Sequence, residues 1–225
     1  MGGLNQHCLK FDPIRDFSAI GLVANYPYFL VVPASSPVHS LDDLIKKGRA
    51  PNAALTYASA GIGATNHLAG EWFIRAGKLN ATHIPYKGDA AAVADLMAGR
   101  VDFGFIAGVV ALPQVKAGKL RLLASASATP GRGPTGIKTL REAGFKEFVA
   151  EPWNGVMGPA GIPAPIVAKL NAAINEIMKQ KAVVDRLAAV EQYPLTGTPQ
   201  QFTASIKEQS DRWRAIIKDA DIKAE

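Results

Sequence analysis

The chain alternates between two patterns of apolar and polar positions, one typical of strands and the other of helices. Runs rich in apolar and β-branched residues predict strands at residues 28–32, 54–58, 82–84 and 101–106. Apolar residues at helical spacing predict helices at residues 40–47, 64–76 and 90–98. From residue 54 to residue 106 the order is β-α-β-α-β, which predicts an α/β fold whose parallel or mixed sheet is flanked by helices.

The C-terminal part of the chain reads as mainly helical. Residues 120–124 and 153–157 predict two more strands, and residues 126–136 between them form a loop rich in Pro, Gly, Ser and Thr. Pro165 opens a long helix that runs towards Lys179. Its spacing places four apolar residues inward: Ile166, Leu170, Ile174 and Ile177. A last helix is predicted to bury Phe202, Ile206, Trp213 and Ile217.

Two helix starts are marked by capping residues. Ser40, followed three residues later by Asp43, predicts the N-cap of the first helix. Thr198 and Gln201 form a capping box, and Pro199 occupies the first helical position of the last helix.

Composition and charge argue against several classes of function. The 225 residues are 48% hydrophobic and 20% charged, which is ordinary for a globular protein. The net charge of +6 comes from scattered residues with no run of five basic ones, so we predict no nucleic-acid partner and a surface that mildly favours anions. Cys8 is the single cysteine, which excludes an internal disulfide. No apolar run reaches eighteen residues, so we predict no membrane insertion.

The most informative segment is the junction between the strand at residues 54–58 and the following helix. Its turn is Ser59-Ala60-Gly61-Ile62-Gly63-Ala64-Thr65, in which small residues let a ligand approach the backbone closely. Unpaired N–H groups of the first helical turn, together with the helix dipole, favour an anion there. The alternative is that the two glycines serve only a tight turn.

An enzymatic function has little support in the sequence. The four histidines have no metal-binding spacing, and the glycine turn matches neither a phosphate-binding loop nor a nucleophile elbow. We therefore predict no catalytic residue, no metal and no cofactor. A triad assembled from distant parts of the chain remains an open alternative.

Five segments then resemble one family: DPIRDFSAI (12–20), LTYASAGIGATNHLAGE (55–71), HIPYKG (83–88), KAGKLRLLA (116–124) and GPAGIP (158–163). In this order they resemble the solute-binding receptors of tripartite tricarboxylate transporters, of the TctC or Bug type. The resemblance extends from about Asn5 to Ala224.

The resemblance implies a periplasmic receptor with the type II fold of periplasmic binding proteins. Such a receptor captures a small carboxylate (a di- or tricarboxylate, an acidic amino acid or an aromatic acid) and delivers it to a membrane permease. We expect residues 31–147 to form the second lobe, and residues 1–30 and 148–225 to form the first. Family members normally begin with a signal peptide, a strand, a glycine-rich loop and a helix, which are not visible here. We therefore expect an incomplete first lobe with exposed apolar surface, and weak ligand binding.

The ligand-binding residues expected from the junction and the resemblance are Ser59, Ala60, Gly61, Gly63, Ala64, Thr65, His67, Tyr26, Tyr86, Lys87, Ile106 and Trp153. Several of them have a structural alternative. His67 either faces the ligand or forms hydrogen bonds inside its lobe, and Lys87 either adds positive charge or is a solvated turn residue. Trp153 packs on the ligand or on the hinge. Ile106 would give the far end of the ligand an apolar wall.

Two other function classes stay open. The ligand-sensing half of a transcription regulator shares this fold, but it would follow a helix-turn-helix segment, which we do not find in the sequence. An α/β enzyme would need a pair of titratable groups with perturbed pKa values in a cleft.

Overall fold

The structure is a computed structural model that describes residues 11–12 and 14–223, so Cys8 lies outside the described residues. The strands are β1 (Phe17–Asn25), β2 (Tyr28–Pro33), β3 (Leu55–Ser59), β4 (Ala81–Pro85), β5 (Phe103–Ala107), β6 (Leu120–Ser125), β7 (Trp153–Pro159) and β8 (Tyr193–Pro194). The helices are α1 (Leu41–Gly48), α2 (Thr65–Gly77), α3 (Asp89–Met97), α4 (Gly108–Lys116), α5 (Ala164–Ile177), α6 (Lys181–Ala188) and α7 (Pro199–Asp219).

The chain divides into two compact units. The central unit is Pro27–Glu151, and the flanking unit combines Met1–Tyr26 with Pro152–Ala224. Strands β2–β6 and helices α1–α4 belong to the central unit. The lobe boundaries expected from the sequence, at residues 30–31 and 147–148, stay a prediction.

The central unit is built on a mixed five-stranded sheet with the strand order β4-β3-β5-β2-β6. Strand β3 pairs in parallel with β4 and β5, whereas β2 pairs antiparallel with β5 and β6. Every residue of β2 and β5 is buried, which explains why both strands read as continuous apolar runs. The predicted α/β fold with mixed sheets and flanking helices is confirmed.

Aromatic rings fill the space between α2 and this sheet. Phe73 of α2 contacts Phe103 and Phe105 of β5 edge-on, with ring centroids 6.0 and 5.7 Å apart. Trp72, which is half-buried, stacks on Phe148 at 4.5 Å. These contacts bury one face of α2 and hold its N-terminus at the end of β3.

Both predicted capping boxes are confirmed. In α1, the Asp43 N–H donates to Ser40 Oγ at 3.1 Å, and the Ser40 N–H donates back to the Asp43 carboxylate at 2.9 Å. In α7, the Gln201 N–H donates to Thr198 Oγ1 at 3.1 Å, and the Thr198 N–H donates to Gln201 Oε1 at 2.8 Å.

The flanking unit contains a three-stranded antiparallel sheet with the order β7-β1-β8. Helix α5 packs on β1, where a side chain at Gly21 would meet Asn171 and Ile174. Asn171 Nδ2 donates to Ile20 O at 2.8 Å and ties the helix to the strand. Phe202 and Trp213 of α7 are buried as predicted, and Ile206 and Ile217 are half-buried.

The inward face predicted for α5 is largely wrong. Ile166, Leu170 and Ile177 are 50%, 43% and 44% exposed, because the face that contacts β1 is formed by Asn171 and Ile174. The sequence analysis also missed β1, α4, α6 and β8. Strand β1 contains two register shifts that interrupt its alternation. Helix α4 starts at a glycine and contains Pro113, and both residue types predict a turn or the end of a helix.

We predict that Gly70→Ala destabilises the protein. In a helix interior this change usually stabilises by about 0.5–1 kcal/mol. At Gly70, however, the new Cβ would overlap the buried Tyr57 ring. Overpacking costs about 1–3 kcal/mol, so the steric effect exceeds the gain in helix propensity. Urea-induced unfolding measures the difference in free energy.

Ala76→Gly is the matched control, because Ala76 lies on the exposed side of the same helix. The residue preference should therefore be opposite at the two positions, with alanine favoured at 76 and glycine at 70. A Gly70→Ala variant as stable as the wild type would contradict the close packing against Tyr57.

Candidate functional site

Two helices begin side by side at one edge of the central sheet. Strands β3 and β4 are parallel and end in register, with Ser59 opposite Pro85. The turns that follow are joined by two backbone hydrogen bonds, from Tyr86 N–H to Ser59 O and from Gly88 N–H to Ala60 O, both 3.0 Å. The N-terminus of α2 is therefore held next to the N-terminus of α3.

The turn before α2 needs glycine at two positions. Gly61 has φ +138° and Gly63 has φ +76°, which are backbone conformations that side chains disfavour. A Cβ at Gly61 would also lie 3.3 Å from Tyr86 O in the neighbouring turn. Ala64 then adopts an extended N-cap conformation with ψ 151°. The turn therefore requires glycine at these two positions for its own conformation, whether or not a ligand binds.

Three of the turn amides donate to acceptors inside the protein. The Gly61 N–H donates to Ser59 Oγ at 3.1 Å. The Gly63 N–H donates to His67 Nδ1 at 3.1 Å. The Ala64 N–H donates to Gly61 O at 3.2 Å. Their expected role as ligand donors stays a prediction, and it would require these bonds to open.

The side chain of Asn66 accepts a hydrogen bond from the amide of Ala60, which precedes these three amides in the turn. Its Oδ1 accepts from the Ala60 N–H at 3.2 Å, and its Nδ2 donates to Asp89 Oδ1 at 2.9 Å. The Asn66 side chain therefore links the turn before α2 to the first residue of α3.

The next three amides have no acceptor among the residues that the structure describes. They belong to Thr65, Asn66 and His67, the first three positions of α2. The first main-chain bond of this helix runs from the Leu68 N–H to Ala64 O, and the N-cap has no side-chain cap. Asn66 and His67 are only 1% and 4% exposed. Buried N–H groups normally have a partner, so these amides are suited to an acceptor from outside the chain.

Two imidazoles support the turn from beneath. His67 and His83 stack with ring centroids 3.8 Å apart, and Tyr57 stacks on His83 at 4.8 Å. His83 Nε2 lies 2.6 Å from Ser59 Oγ. His67 thus follows the structural alternative, with its side chain bonded inside the unit. The sequence analysis missed the role of His83, for which the signal is its position opposite Tyr57 in the β3–β4 register.

Both imidazoles are held neutral. Burial lowers the pKa of His67 below 6.5, with a smaller opposing effect from Glu71. Burial, together with the repulsion that His67 would exert if both rings were protonated, lowers the pKa of His83 to about 3. The geometry agrees, because a main-chain N–H can only donate, so the Nδ1 of His67 that accepts from Gly63 carries no proton. Tyr57 donates to Glu71 at 2.8 Å, and burial raises its pKa strongly.

Three more residues of the central unit were predicted to bind the ligand, and each has different surroundings: Tyr86, Lys87 and Ile106. The Tyr86 hydroxyl donates to Asp95 at 2.8 Å, and burial followed by this bond raises the pKa of Tyr86 to about 12. Lys87 is exposed in the same turn. Ile106 is fully buried in the central core, which leaves its side chain no surface for a ligand in this structure.

Tyr26 and Trp153 belong to the flanking unit rather than to the turn. Tyr26 is half-buried, and its N–H donates to Pro152 O at 3.1 Å. Trp153 Nε1 donates to Gln209 at 3.0 Å, and its ring meets Phe202 edge-on at 4.9 Å. The structure therefore brings together the predicted residues at 59–67 and 86–87, and it places Tyr26 and Trp153 in the other unit.

Comparison with known proteins identifies the family. The model of the TctC family, described as the tripartite tricarboxylate transporter family receptor, matches residues 5–222. The chain belongs to this family. BugT of Bordetella pertussis is 32% identical over 216 residues, which are 96% of this chain and 66% of BugT. The chain therefore spans slightly less than two thirds of that relative's length.

Two solved structures of similar proteins share the fold. R. palustris Rpa4515 with adipate is 30% identical, with a TM-score of 0.84 over 95% of this chain and 71% of that protein. MatC from Rhodopseudomonas palustris with bound malate is 28% identical, with a TM-score of 0.78 over 93% of this chain and 72% of MatC. The resemblance to TctC and Bug receptors stated from the sequence is confirmed.

The described part of this TctC-family chain has neither a metal-binding group of side chains nor a membrane-spanning helix. Within residues 11–12 and 14–223, no group of three or more His, Cys, Asp or Glu side chains is placed to hold a metal ion. Over the same residues, no helix has the length and apolar character needed to cross a membrane.

We predict that stability falls as the pH drops below 6.5. The pKa values of His67 and His83 are lower in the folded protein than the value of 6.5 for a free imidazole. The unfolded chain therefore takes up protons first, and the free energy of unfolding declines from pH 6.5 towards pH 3. The limiting slope is about 1.4 kcal/mol per pH unit for each histidine that stays neutral.

Urea unfolding at pH 7.5, 6.5, 5.5 and 5.0 tests this slope above the range of most carboxylates. His83→Gln keeps an amide that reaches Ser59 but does not titrate, so its slope should be smaller than that of the wild type. A wild-type stability that is constant from pH 7.5 to 5.0 would show that the imidazoles are not held neutral.

Proposed function

We propose that this chain is the solute-binding part of a periplasmic receptor that captures a small carboxylate. The candidate ligands are a di- or tricarboxylate, an acidic amino acid or an aromatic acid, delivered to the membrane permease of a tripartite tricarboxylate transporter. Family membership supports the receptor role. Two structural relatives were solved with the carboxylates adipate and malate.

The observation that carries the proposal is the group of three amides without acceptors at the start of α2. A ligand carboxylate at this position would accept from the N–H groups of Thr65, Asn66 and His67. The Thr65 hydroxyl, which has no partner among the described residues, would add a fourth donor. Carboxylates prefer such charge-assisted bonds. The rest of the turn keeps its own hydrogen bonds and orients these donors.

The energies show that the helix start does not suffice by itself. A helix dipole contributes about 0.3–1 kcal/mol when exposed and about 2 when partly buried. Micromolar binding corresponds to about 8 kcal/mol. We propose that the central and flanking units act as the two lobes of the receptor, with the second lobe supplying further contacts. Tyr26 and Trp153 are the candidates from the flanking unit.

One observation favours the enzyme alternative: the side chains of Ser59 and His83 lie close together. Their 2.6 Å contact and the lowered pKa of His83 are the kind of pair that an active site uses. Ser59, however, is completely buried, and its Oγ also accepts from the Gly61 N–H. The Ser59 hydroxyl also donates to Gly61 O at 3.1 Å, so its hydrogen bonds are made within the turn and its support, and the pair is better explained as holding the turn in place. We infer a binding protein without catalysis.

We predict that Thr65→Pro weakens carboxylate binding about tenfold to a hundredfold compared with Thr65→Ala. Proline fits the first helical position, and the extended conformation of Ala64 before it suits a following proline. The change therefore removes one N–H group without breaking α2. A hydrogen bond to a charged group is worth about 1.5–3 kcal/mol. Thr65→Ala loses the same hydroxyl but keeps the N–H.

Isothermal titration of the product of the complete open reading frame provides the measurement. Succinate, malate, adipate, glutamate and benzoate form the panel, and the acid that the wild type binds most tightly is used for the variants. Equal affinity of the proline and alanine variants would exclude the Thr65 amide as a donor. If no acid on the panel bound to the wild type, the proposed function itself would be refuted.

A further inference from the structure

The same turn carries a carboxylate of its own, at Asp89. This residue is the first of α3, and its Oδ1 accepts from Asn66 Nδ2 at 2.9 Å. Asn66 also carries one of the three amides without acceptors. The length of its side chain plus this hydrogen bond keeps Asp89 Oδ1 within about 8 Å of the Asn66 N–H. The inference below rests on the proposed function, because it concerns the ligand of that same site.

Asp89 lacks a compensating cation among the described residues. It is half-buried, and burial raises its pKa, with the Asn66 bond as the only opposing influence. Its other oxygen, Oδ2, has no hydrogen bond within the described chain, yet it is not a buried unsatisfied atom. Oδ2 is therefore accessible for a donor from outside. The N-terminus of α3, where the residue sits, favours the charged form.

A carboxylate next to an anion site affects which anions bind there. A ligand with only carboxylate groups would bring a like charge to within several ångströms of Asp89, which is unfavourable. A ligand with an ammonium group on the adjacent carbon would place opposite charges together instead. An α-amino acid has this arrangement, because its carboxylate and ammonium groups are attached to the same carbon.

We propose that Asp89 is a specificity-determining residue that makes this receptor select an α-amino acid. The ligand carboxylate accepts from the amides of Thr65, Asn66 and His67, and the ligand ammonium donates to Asp89 Oδ2. The short Asn66 bridge fixes the carboxylate of Asp89 relative to the amides. Nothing about the remainder of the ligand follows from this contact, so the test compares acids that differ only in the amino group.

The test is isothermal titration of the product of the complete open reading frame with three matched pairs. The pairs are aspartate and succinate, glutamate and glutarate, and phenylalanine and 3-phenylpropionate. In at least one pair, the amino acid should bind about tenfold or more tightly than its partner, and no partner acid should bind more tightly than its amino acid.

Asp89→Asn is the decisive variant, because it removes the charge and keeps a side chain of the same shape beside Asn66. It should weaken the binding of the amino acid about tenfold and bring its affinity close to that of the partner acid. Asp42→Asn is the matched control, since it removes one negative charge at an exposed position of α1. The control should keep the wild-type ratio, and thermal unfolding should show that both variants are folded.

The outcomes separate the two claims. If acids without an amino group bound as tightly as the amino acids, or Asp89→Asn left the ratio unchanged, the role of Asp89 would be refuted while the receptor function stood. If none of the six compounds bound, the selection by Asp89 would be refuted, and the proposed function would be refuted as well only if malate, adipate and benzoate also failed to bind.

Discussion

The parallel pairing of β3 with β4 is the constraint on which the candidate site depends. Because the two strands run in the same direction and end in register, the helices after them start at the same edge of the sheet. Two main-chain bonds between the turns then fix the start of α2 against the start of α3. The polar groups at these two helix starts, including Asn66 and Asp89, take their positions from this pairing. The aromatic rings beneath α2 hold the helix in place but do not choose its starting point.

Much of the fold was predictable because its signals are local. A few consecutive residues suffice to recognise the buried runs of β2 and β5 and the capping boxes at Ser40 and Thr198. The failures occur where tertiary contacts override local signals. Helix α4 tolerates Pro113, and β1 holds its place despite two register shifts, because neighbouring elements pack on them. The inward face of α5 was misassigned because a polar residue, Asn171, makes the contact with β1.

The candidate site was predictable in place but not in detail. Small residues between a strand and an amphipathic helix indicated the junction correctly. Which amides lack acceptors was not predictable, because it depends on side chains that fold back onto the turn, such as the His67 ring. His83 and Asp89 come from a later strand and helix, and the β3–β4 register alone brings them close. Reading residues opposite one another in predicted parallel strands is the step that would have found His83.

The internal hydrogen bonds of the turn affect how such a site can evolve. Because Gly61, Gly63 and Ala64 satisfy their amides within the chain, the loop keeps its shape without a ligand, and little ordering entropy is lost on binding. In the receptor that we propose, selectivity rests on side chains beside the turn, such as Asp89, which are replaceable without changing the hydrogen bonds of the turn. Under the proposed function, we therefore expect that exchanging such a side chain changes which acid is bound while the backbone of the turn stays the same.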